Sequence, residues 1–274
     1  MNQFPKVSVE PGIVFEDDYL LAVDKPAGMV VNEAETVTPG LTLQSWLSRK
    51  HPLEGKGESA FWRRAGIVHR LDKETSGLLL VAKKEAVFVK LQALFKERKV
   101  RKQYLVMVHG RVVPARGRIE LPLGRSRFDR EKFAVVLGGK EAITEYEVIA
   151  YLNPLELING DVWRQVTEGK GGMINETETY KGVPFENSTL LLVSPATGRT
   201  HQIRVHLKQM GYPVVGDEKY GGRKRARKDR LFCPRQFLHA YRLTFLHPET
   251  AKTIQLKAPL PEILLKQLGI MWRG

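Results

Sequence analysis

Residues 85–110 constrain the fold more than any other stretch of this 274-residue chain. Residues 85–99 (EAVFVKLQALFKERK) place Val87, Leu91, Leu94 and Phe95 at i, i+4, i+7 and i+8, with Lys and Glu opposite. That is the period of an amphipathic helix. Directly after it comes YLVMVHG at 104–110, a continuous apolar run closed by Gly110, which reads as a strand buried on both faces. Short strands joined by turns are expected over 13–31, where Glu16-Asp17-Asp18 interrupts the first pair and Pro26 and Gly28 suit positions i+1 and i+3 of a type I turn. Further strands fit 140–151 (KEAITEYEVIAY) and 189–193 (TLLLV), and a short helix fits 43–47, where Leu43, Trp46 and Leu47 share a face. A second longer helix is expected over 201–210, with Thr200 as N-cap, Gly211 at C′ and Pro213 just beyond. Strands separated by isolated helices, with no βαβ repeat, point to the α+β class and away from a parallel doubly wound sheet.

Charge narrows the partners. The chain carries 44 Lys and Arg against 30 Asp and Glu, a formal net charge of +14. Such a bias favours polyanions, of which nucleic acid is the commonest for a chain with a core of this size, although a solvated basic surface accounts for it equally well. Cys233 is the only cysteine, which excludes an intramolecular disulfide framework and a Cys-based zinc site and reads as a buried, idle thiol. His201 and His206 are five apart, so they do not stack as a helical ligand pair. No metal site is expected. No uncharged apolar run approaches about 18 residues, so no membrane span is expected. The start, MNQFPKVSVEPG, is unlike a signal peptide, and a cytoplasmic location follows as the expectation.

Two segments depart from the average in opposite directions. Residues 155–187 hold six acidic and three basic residues among Gly, Asn and Thr, and read as an acidic inserted loop or hairpin unsuited to touching a polyanion. Residues 223–230 (RKRARKDR) hold six basic residues in eight and follow Gly221-Gly222, which predicts a mobile basic loop. Runs of this kind are usually solvated and unspecific.

The segment Gly66-Ile67-Val68-His69-Arg70-Leu71-Asp72-Lys73-Glu74-Thr75-Ser76-Gly77 is a polar loop between apolar stretches, with Asp72 flanked by Arg70 and Lys73. Loops on a rigid scaffold are where catalytic groups concentrate, but a structural ion pair is the commoner fate of such an Asp, and the residues alone leave both open. Arg70 by itself reads equally as a salt-bridge partner, Arg204 as surface charge on a helix face shared with Lys208, and Tyr104 as core at the start of a strand.

The same residues, His-Arg-Leu-Asp followed by Lys-Glu-Thr-Ser-Gly-Leu-Leu-Leu-Val-Ala-Lys, closely resemble the signature of the RluA-type RNA pseudouridine synthases. The match continues in family order. Asp24-Lys25-Pro26-Ala27-Gly28 looks like the family's early Lys-Pro-x-Gly turn, and Lys102-Gln103-Tyr104 resembles the strand that brings its active-site tyrosine. Thr197-Gly198-Arg199-Thr200-His201-Gln202-Ile203-Arg204-Val205-His206 is similar to its third motif, and Phe237-Leu238-His239-Ala240 to its closing one. The resemblance runs from residue 13 to about 260. It implies a pseudouridine synthase catalytic fold with a mixed, largely antiparallel sheet and flanking helices, in a single catalytic domain over 1–274. It implies Asp72 as catalytic carboxylate, Tyr104 as active-site tyrosine, Arg204 as the arginine paired with that Asp, and Leu238 as an apolar contact to the base. His69, Arg70, Arg199 and the basic run Arg223, Lys224, Arg225 and Arg227 are expected to face the substrate. Two departures stand out. Only about a dozen residues precede the first strand, so no separate N-terminal RNA-binding domain is expected, and the acidic insertion over 155–187 is longer than the family's usual connection.

Pseudouridylation breaks the uracil N1–ribose bond, rotates the base and rejoins it through C5, so no cofactor is expected. A carboxylate serves either as nucleophile or as base towards the ribose. An Arg beside it favours the ionised form. The target base must leave its stack to reach the pocket, and Arg70 is placed in sequence to fill the gap it leaves. The reading is therefore an isomerase acting on a uridine in structured RNA, ribosomal RNA first and transfer RNA second, as a monomer with no membrane partner. The alternative is a catalytically silent RNA-binding or ribosome-assembly protein on the same fold, which would need only the basic surface and not Asp72, Tyr104 and Arg204. A glycoside hydrolase would need two carboxylates flanking the bond, and Asp72 and Glu74 sit in a motif that fits RNA work better.

Overall fold

The computed structural model describes residues 10–33, 40–152, 156–167 and 187–268. In chain order the elements are β1 (Gly12–Glu16), β2 (Leu20–Lys25), α1 (Leu43–Lys50), α2 (Ala60–Arg63), β3 (Ser76–Ala82), α3 (Glu85–Lys96) and β4 (Arg101–His109). There follow β5 (Arg116–Glu120), β6 (Leu123–Arg125), β7 (Phe133–Val135), β8 (Ile143–Leu152), β9 (Glu156–Leu157), α4 (Gly160–Thr167) and β10 (Ser188–Pro195). The chain ends with α5 (Gln202–Gln209), α6 (Glu218–Gly221), α7 (Arg223–Asp229), β11 (Leu238–Leu246), β12 (Thr253–Lys257) and α8 (Glu262–Gln267). These form two compact units, one of residues 1–102 with 240–258 and one of 103–239 with 259–274. The class is the expected α+β, with largely antiparallel pairing.

In the first unit the strand order is β1-β2-β3-β11, with β12 on β11. β3 (SGLLLVA) is buried at every position, as its unbroken apolar run requires of a strand flanked on both sides and covered on both faces. Leu78 and Leu80 of β3 meet Val87, Phe88 and Leu91 of α3 in one core with Leu243, Phe245 and Leu256. α3 stops at Lys96, three residues short of the expected end. Arg98 takes φ 60°, and the amides of Arg98 and Lys99 bond the carbonyls of Phe95 and Leu94 at 3.2 and 2.8 Å. This is a Schellman ending made without glycine, which is why no sequence signal marks it. α1 runs three residues past the expected 43–47 and starts on a capping box between Thr42 and Ser45.

In the second unit the order is β4-β10-β8-β5, with β9 on β8 and a separate hairpin of β6 and β7. Its core joins Val106 and Val108 of β4, Val148 of β8, Leu191 and Val193 of β10, and Ile203 and Leu207 of α5. α5 begins one residue later than expected, and its N-cap is His201 at φ 56°, not Thr200. Its C-terminus is as read from sequence: Gly211 at φ 87° closes a Schellman turn in which the Tyr212 amide reaches the Leu207 carbonyl at 2.9 Å.

One expectation is overturned. The basic run is no mobile loop: Arg223–Asp229 is helical. It contains no Gly or Pro, its Arg, Lys and Ala are strong helix formers, and Ala226 and Asp229 turn inwards to anchor it. The acidic segment 155–187, expected as an inserted loop or hairpin, starts as a hairpin and continues as a helix. Its first part pairs with β8 through Ala150↔Leu157 and Tyr151↔Glu156, then forms α4, which buries Trp163 and Val166. Residues 168–186 lie outside the described residues.

Candidate active site

The loop carrying Asp72 belongs to the first unit and is fixed through its backbone. Val68 and Leu71 are buried on either side of exposed Arg70, so the loop alternates between core and solvent. Asp72 is partly exposed and its carbonyl accepts from the Thr75 amide at 3.1 Å. One residue on, the Lys73 carbonyl accepts from the Gly28 amide at 2.9 Å and from Lys25 Nζ at 3.1 Å. Lys25, at the end of β2, is fully buried, and its ammonium also donates to the carbonyls of Pro26 and Met29 at 2.8 and 2.9 Å. The Lys-Pro-x-Gly turn is thus a clamp on the Asp72 loop. Its turn residues are Ala27 and Gly28, and Gly28 adopts φ 84°, the left-handed position and not the i+3 site of a type I turn. The loop leads into β3 through Gly77, at φ 108°, where a Cβ would sit 2.3 Å from the Ala240 carbonyl oxygen. The glycine of the motif is there because the backbone of β11 occupies the space a side chain would need.

His69 and Arg70 part company. The Leu80 amide donates to His69 Nε2 at 3.0 Å, and the ring lies against Phe95 with centroids 4.5 Å apart. Burial, with Lys102 nearby, pushes its pKa down to about 3. An Nε2 that accepts carries no proton, so the ring is the neutral Nδ1–H tautomer. This side of His69 serves β3. Arg70 is exposed, and among the described residues it takes part in no ion pair or hydrogen bond. The salt-bridge reading of Arg70 has no support there.

In the second unit Tyr104 stands on β4 opposite Val193, half-buried. It packs against the same apolar cluster as Leu238, Ile203 and Leu207, so the structure groups Tyr104, Leu238 and one face of α5. Arg204, on that helix, is buried, which overturns the reading as surface charge shared with Lys208. Its Nε and Nη2 donate to Asp217 Oδ2 and Oδ1 at 2.7 and 2.9 Å, a bidentate pair whose Asp side chain is fully buried. Asp217 Oδ1 also accepts the amides of Lys219 and Tyr220 at 3.0 Å as the N-cap of α6. The Tyr220 ring lies 4.9 Å from the guanidinium carbon.

The rest of the third motif holds α5 to the sheet. Gln202 Oε1 accepts from the Thr197 hydroxyl at 2.7 Å and the Arg199 amide at 3.0 Å, while its Nε2 donates to the Ile143 carbonyl and Thr144 hydroxyl. His206 Nε2 donates to the Leu121 carbonyl at 3.0 Å and Nδ1 accepts from the Thr144 hydroxyl at 2.9 Å, and burial lowers its pKa. Arg199 is exposed, with Nε on the Glu141 carbonyl at 3.0 Å. Arg223, Lys224, Arg225 and Arg227 are exposed on α7, which is tied down by Asp229: its Oδ2 accepts from the Gly216 amide at 2.8 Å and meets His109 Nε2 at 2.9 Å. Cys233 is buried with its thiol pushed up to about 12, chiefly by desolvation, consistent with an inert residue.

Sequence reasoning missed Asp217 and Tyr220. Asp217 before Glu-Lys-Tyr-Gly carries the signal of an N-cap, but nothing in the sequence links it to Arg204. Lys25 was visible only as part of a turn, without its task.

Residues 19–209 match the family described as RNA pseudouridylate synthase. The chain is 37% identical over 272 residues to a Pseudomonas aeruginosa protein named ribosomal large subunit pseudouridine synthase D, covering 96% of this chain and 72% of that one. It is 36% identical over 266 residues to a Neisseria meningitidis protein of the same name, covering 94% of this chain and 60% of the relative. Among solved structures, human RNA pseudouridylate synthase domain containing 1 superposes with a TM-score of 0.64 at 27% identity, over 92% of this chain and 84% of that one.

Proposed function

The chain belongs to the RNA pseudouridylate synthases of the RluA type, isomerases acting on RNA, and on that premise we propose that it converts a uridine of large-subunit ribosomal RNA to pseudouridine with Asp72 as its catalytic carboxylate. The observation that carries this is the Gly66–Gly77 segment, whose Asp72 sits on a loop clamped by Lys25 and Gly28 through the next residue's carbonyl. This choice of substrate is supported by relatives named for the ribosomal large subunit that match nearly the whole of this chain, and transfer RNA takes second place.

In the reaction the N1–C1′ bond of the nucleoside breaks, uracil turns, C5 bonds to C1′, N1 takes up a proton and the C5 proton is lost to solvent. The Asp72 carboxylate acts on the ribose, at C1′ as nucleophile or as base towards the sugar. Arg204 supplies a fixed positive charge in the reaction. Tyr104 stacks on the uracil and Leu238 gives it an apolar contact. Arg70, exposed and without an ion pair among the described residues, fills the place of the flipped base. Phosphates are held by Arg199 and the exposed cations of α7, and His69 borders the substrate through the ring edge not bonded to Leu80.

A transcript of large-subunit ribosomal RNA tritiated at C5 of uridine tests this. Wild type is expected to release tritium and Asp72→Asn to release none while binding the transcript as tightly. Release by the variant within a few-fold of wild type removes Asp72 from the mechanism. Wild-type release only from transfer RNA moves the substrate to the second class.

A further inference from the structure

We propose that Asp217, at the start of α6, is the positioning residue for Arg204, an inference that rests on the reading of Arg204 as part of the machinery acting on uridine. Both oxygens of Asp217 grip the Nε–Nη2 edge of the guanidinium, at 2.7 and 2.9 Å. Two parallel bonds fix the plane of an arginine, where one would leave it free to rotate. The Asp217 side chain is itself immobilised, fully buried and accepting the amides of Lys219 and Tyr220. Tyr220 adds a second surface: its ring lies 4.9 Å from the guanidinium carbon. Its hydroxyl is held at 2.8 Å by His201 Nδ1 and accepts the Phe133 amide at 3.0 Å. Arg204 is therefore gripped along an edge by one residue and faced by another, and both come from the same turn of chain.

Stability alone gives little reason for this arrangement. Desolvating two charges offsets most of what their attraction returns, so a well-packed apolar pair of similar volume would hold α5 to α6 as well. What the ion pair supplies and an apolar pair does not is a fixed direction for the donors of Nη1. A charge that must meet a developing charge in a transition state acts through such preorganisation.

Asp217→Asn keeps the shape and one acceptor oxygen for the cap, but loses the charge and one of the two grips. Under single turnover on the ribosomal transcript its rate is expected to fall about 100-fold, the scale of a ~1 Å misplacement, with RNA affinity within about threefold of wild type. In an Arg204→Met background the same substitution is expected to cost nothing further, because a residue that acts only through Arg204 has no effect once Arg204 is gone. A folded Asp217→Asn protein with a rate near wild type overturns the proposal. So does a loss of equal size in both backgrounds, which would mean that Asp217 acts on its own account. Arg204→Met as fast as wild type overturns the underlying reading of Arg204, a result distinct from either. Should Asp217→Asn not fold, Asp217→Glu keeps the charge and displaces it by one methylene. Undiminished turnover in that variant overturns the proposal, and slowed turnover with RNA binding intact supports it.

Discussion

The Asp72 loop and the seat of Arg204 are held by opposite means. Around Asp72 main-chain atoms serve as fixed points: the Lys73 carbonyl under Lys25 and Gly28, the Asp72 carbonyl under Thr75, and the close approach of β11 at Gly77. Around Arg204 they are side chains: Asp217 and Tyr220 on the guanidinium, Gln202 and His206 on β8 and its neighbours. A loop that carries a reacting group is positioned by holding its backbone. A group that supplies a fixed charge is best gripped by the charge itself.

The contrast predicts where substitution is least tolerated. Gly77→Ala puts a Cβ 2.3 Å from a carbonyl oxygen and 2.7 Å from an amide nitrogen of Ala240, at a φ that an L side chain rarely adopts. Backbone cannot give way as a side-chain end can, so a loss of ~4 kcal/mol or more is expected, read by urea unfolding. Thr197→Val breaks one link of the side-chain network beside Arg204 and removes the acceptor of the buried Ile143 amide, which bonds the Thr197 hydroxyl at 3.0 Å, for ~1–3 kcal/mol. If the two variants were equally stable, the claim that the Asp72 loop depends on its backbone would fail.

His69 is the exception that sharpens the comparison, a side chain on which the Asp72 loop does depend. Folded, its ring stays neutral down to about pH 3, whereas unfolded it protonates near 6.5. Between those values the unfolded state binds more protons. Stability is therefore complete above pH 6.5 and declines as pH falls, by up to ~1.4 kcal/mol per unit from this group. His206 adds a contribution of the same sign. His69→Gln, which retains an acceptor for the Leu80 amide, is expected to flatten stability between pH 7 and 5 relative to wild type. Parallel pH profiles for the two proteins would place the acid sensitivity elsewhere.

These same differences decide what the sequence reveals. The Asp72 loop is legible because its motif is contiguous: a glycine, a buried pair at Val68 and Leu71, and an apolar strand follow one another, although the clamp of Lys25 and Gly28 comes from a separate turn. α3 is legible from its stripe, and the end of α5 from Gly211. The Arg204 seat is not, since Asp217 lies 13 residues on in a separate element and the pair exists only after folding. α7 misleads for another reason. Its charge density and the preceding glycines suggest a loop, yet helix propensity and the inward-facing Ala226 and Asp229 prevail. The ending of α3 at Arg98 left no trace because a non-glycine residue took the left-handed position.

The smallest expected effect on stability separates two sets of exposed cations, one in each unit. Replacing Arg223, Lys224, Arg225, Arg227 and Lys228 with Gln leaves Ala226 and Asp229, the buried anchors of α7, so the melting temperature should stay put. RNA binding should weaken, and the slope of log K against log salt should shrink by ~0.7–0.9 for each phosphate that is no longer neutralised. Arg70→Ala should do the reverse. It removes one exposed side chain that has no ion pair among the described residues, so it should change the salt slope by the equivalent of one phosphate at most. If Arg70 fills the gap behind a flipped uridine, its value depends on how much stacking the RNA gives up, which is a few kcal/mol in a paired site and least in a single strand. Single-turnover rates should therefore fall far more on a stem-loop than on an unstructured oligonucleotide with the same target. Equal losses on both RNAs would make Arg70 one more phosphate ligand, and an unchanged salt slope in the α7 variant would return that helix to solvated decoration.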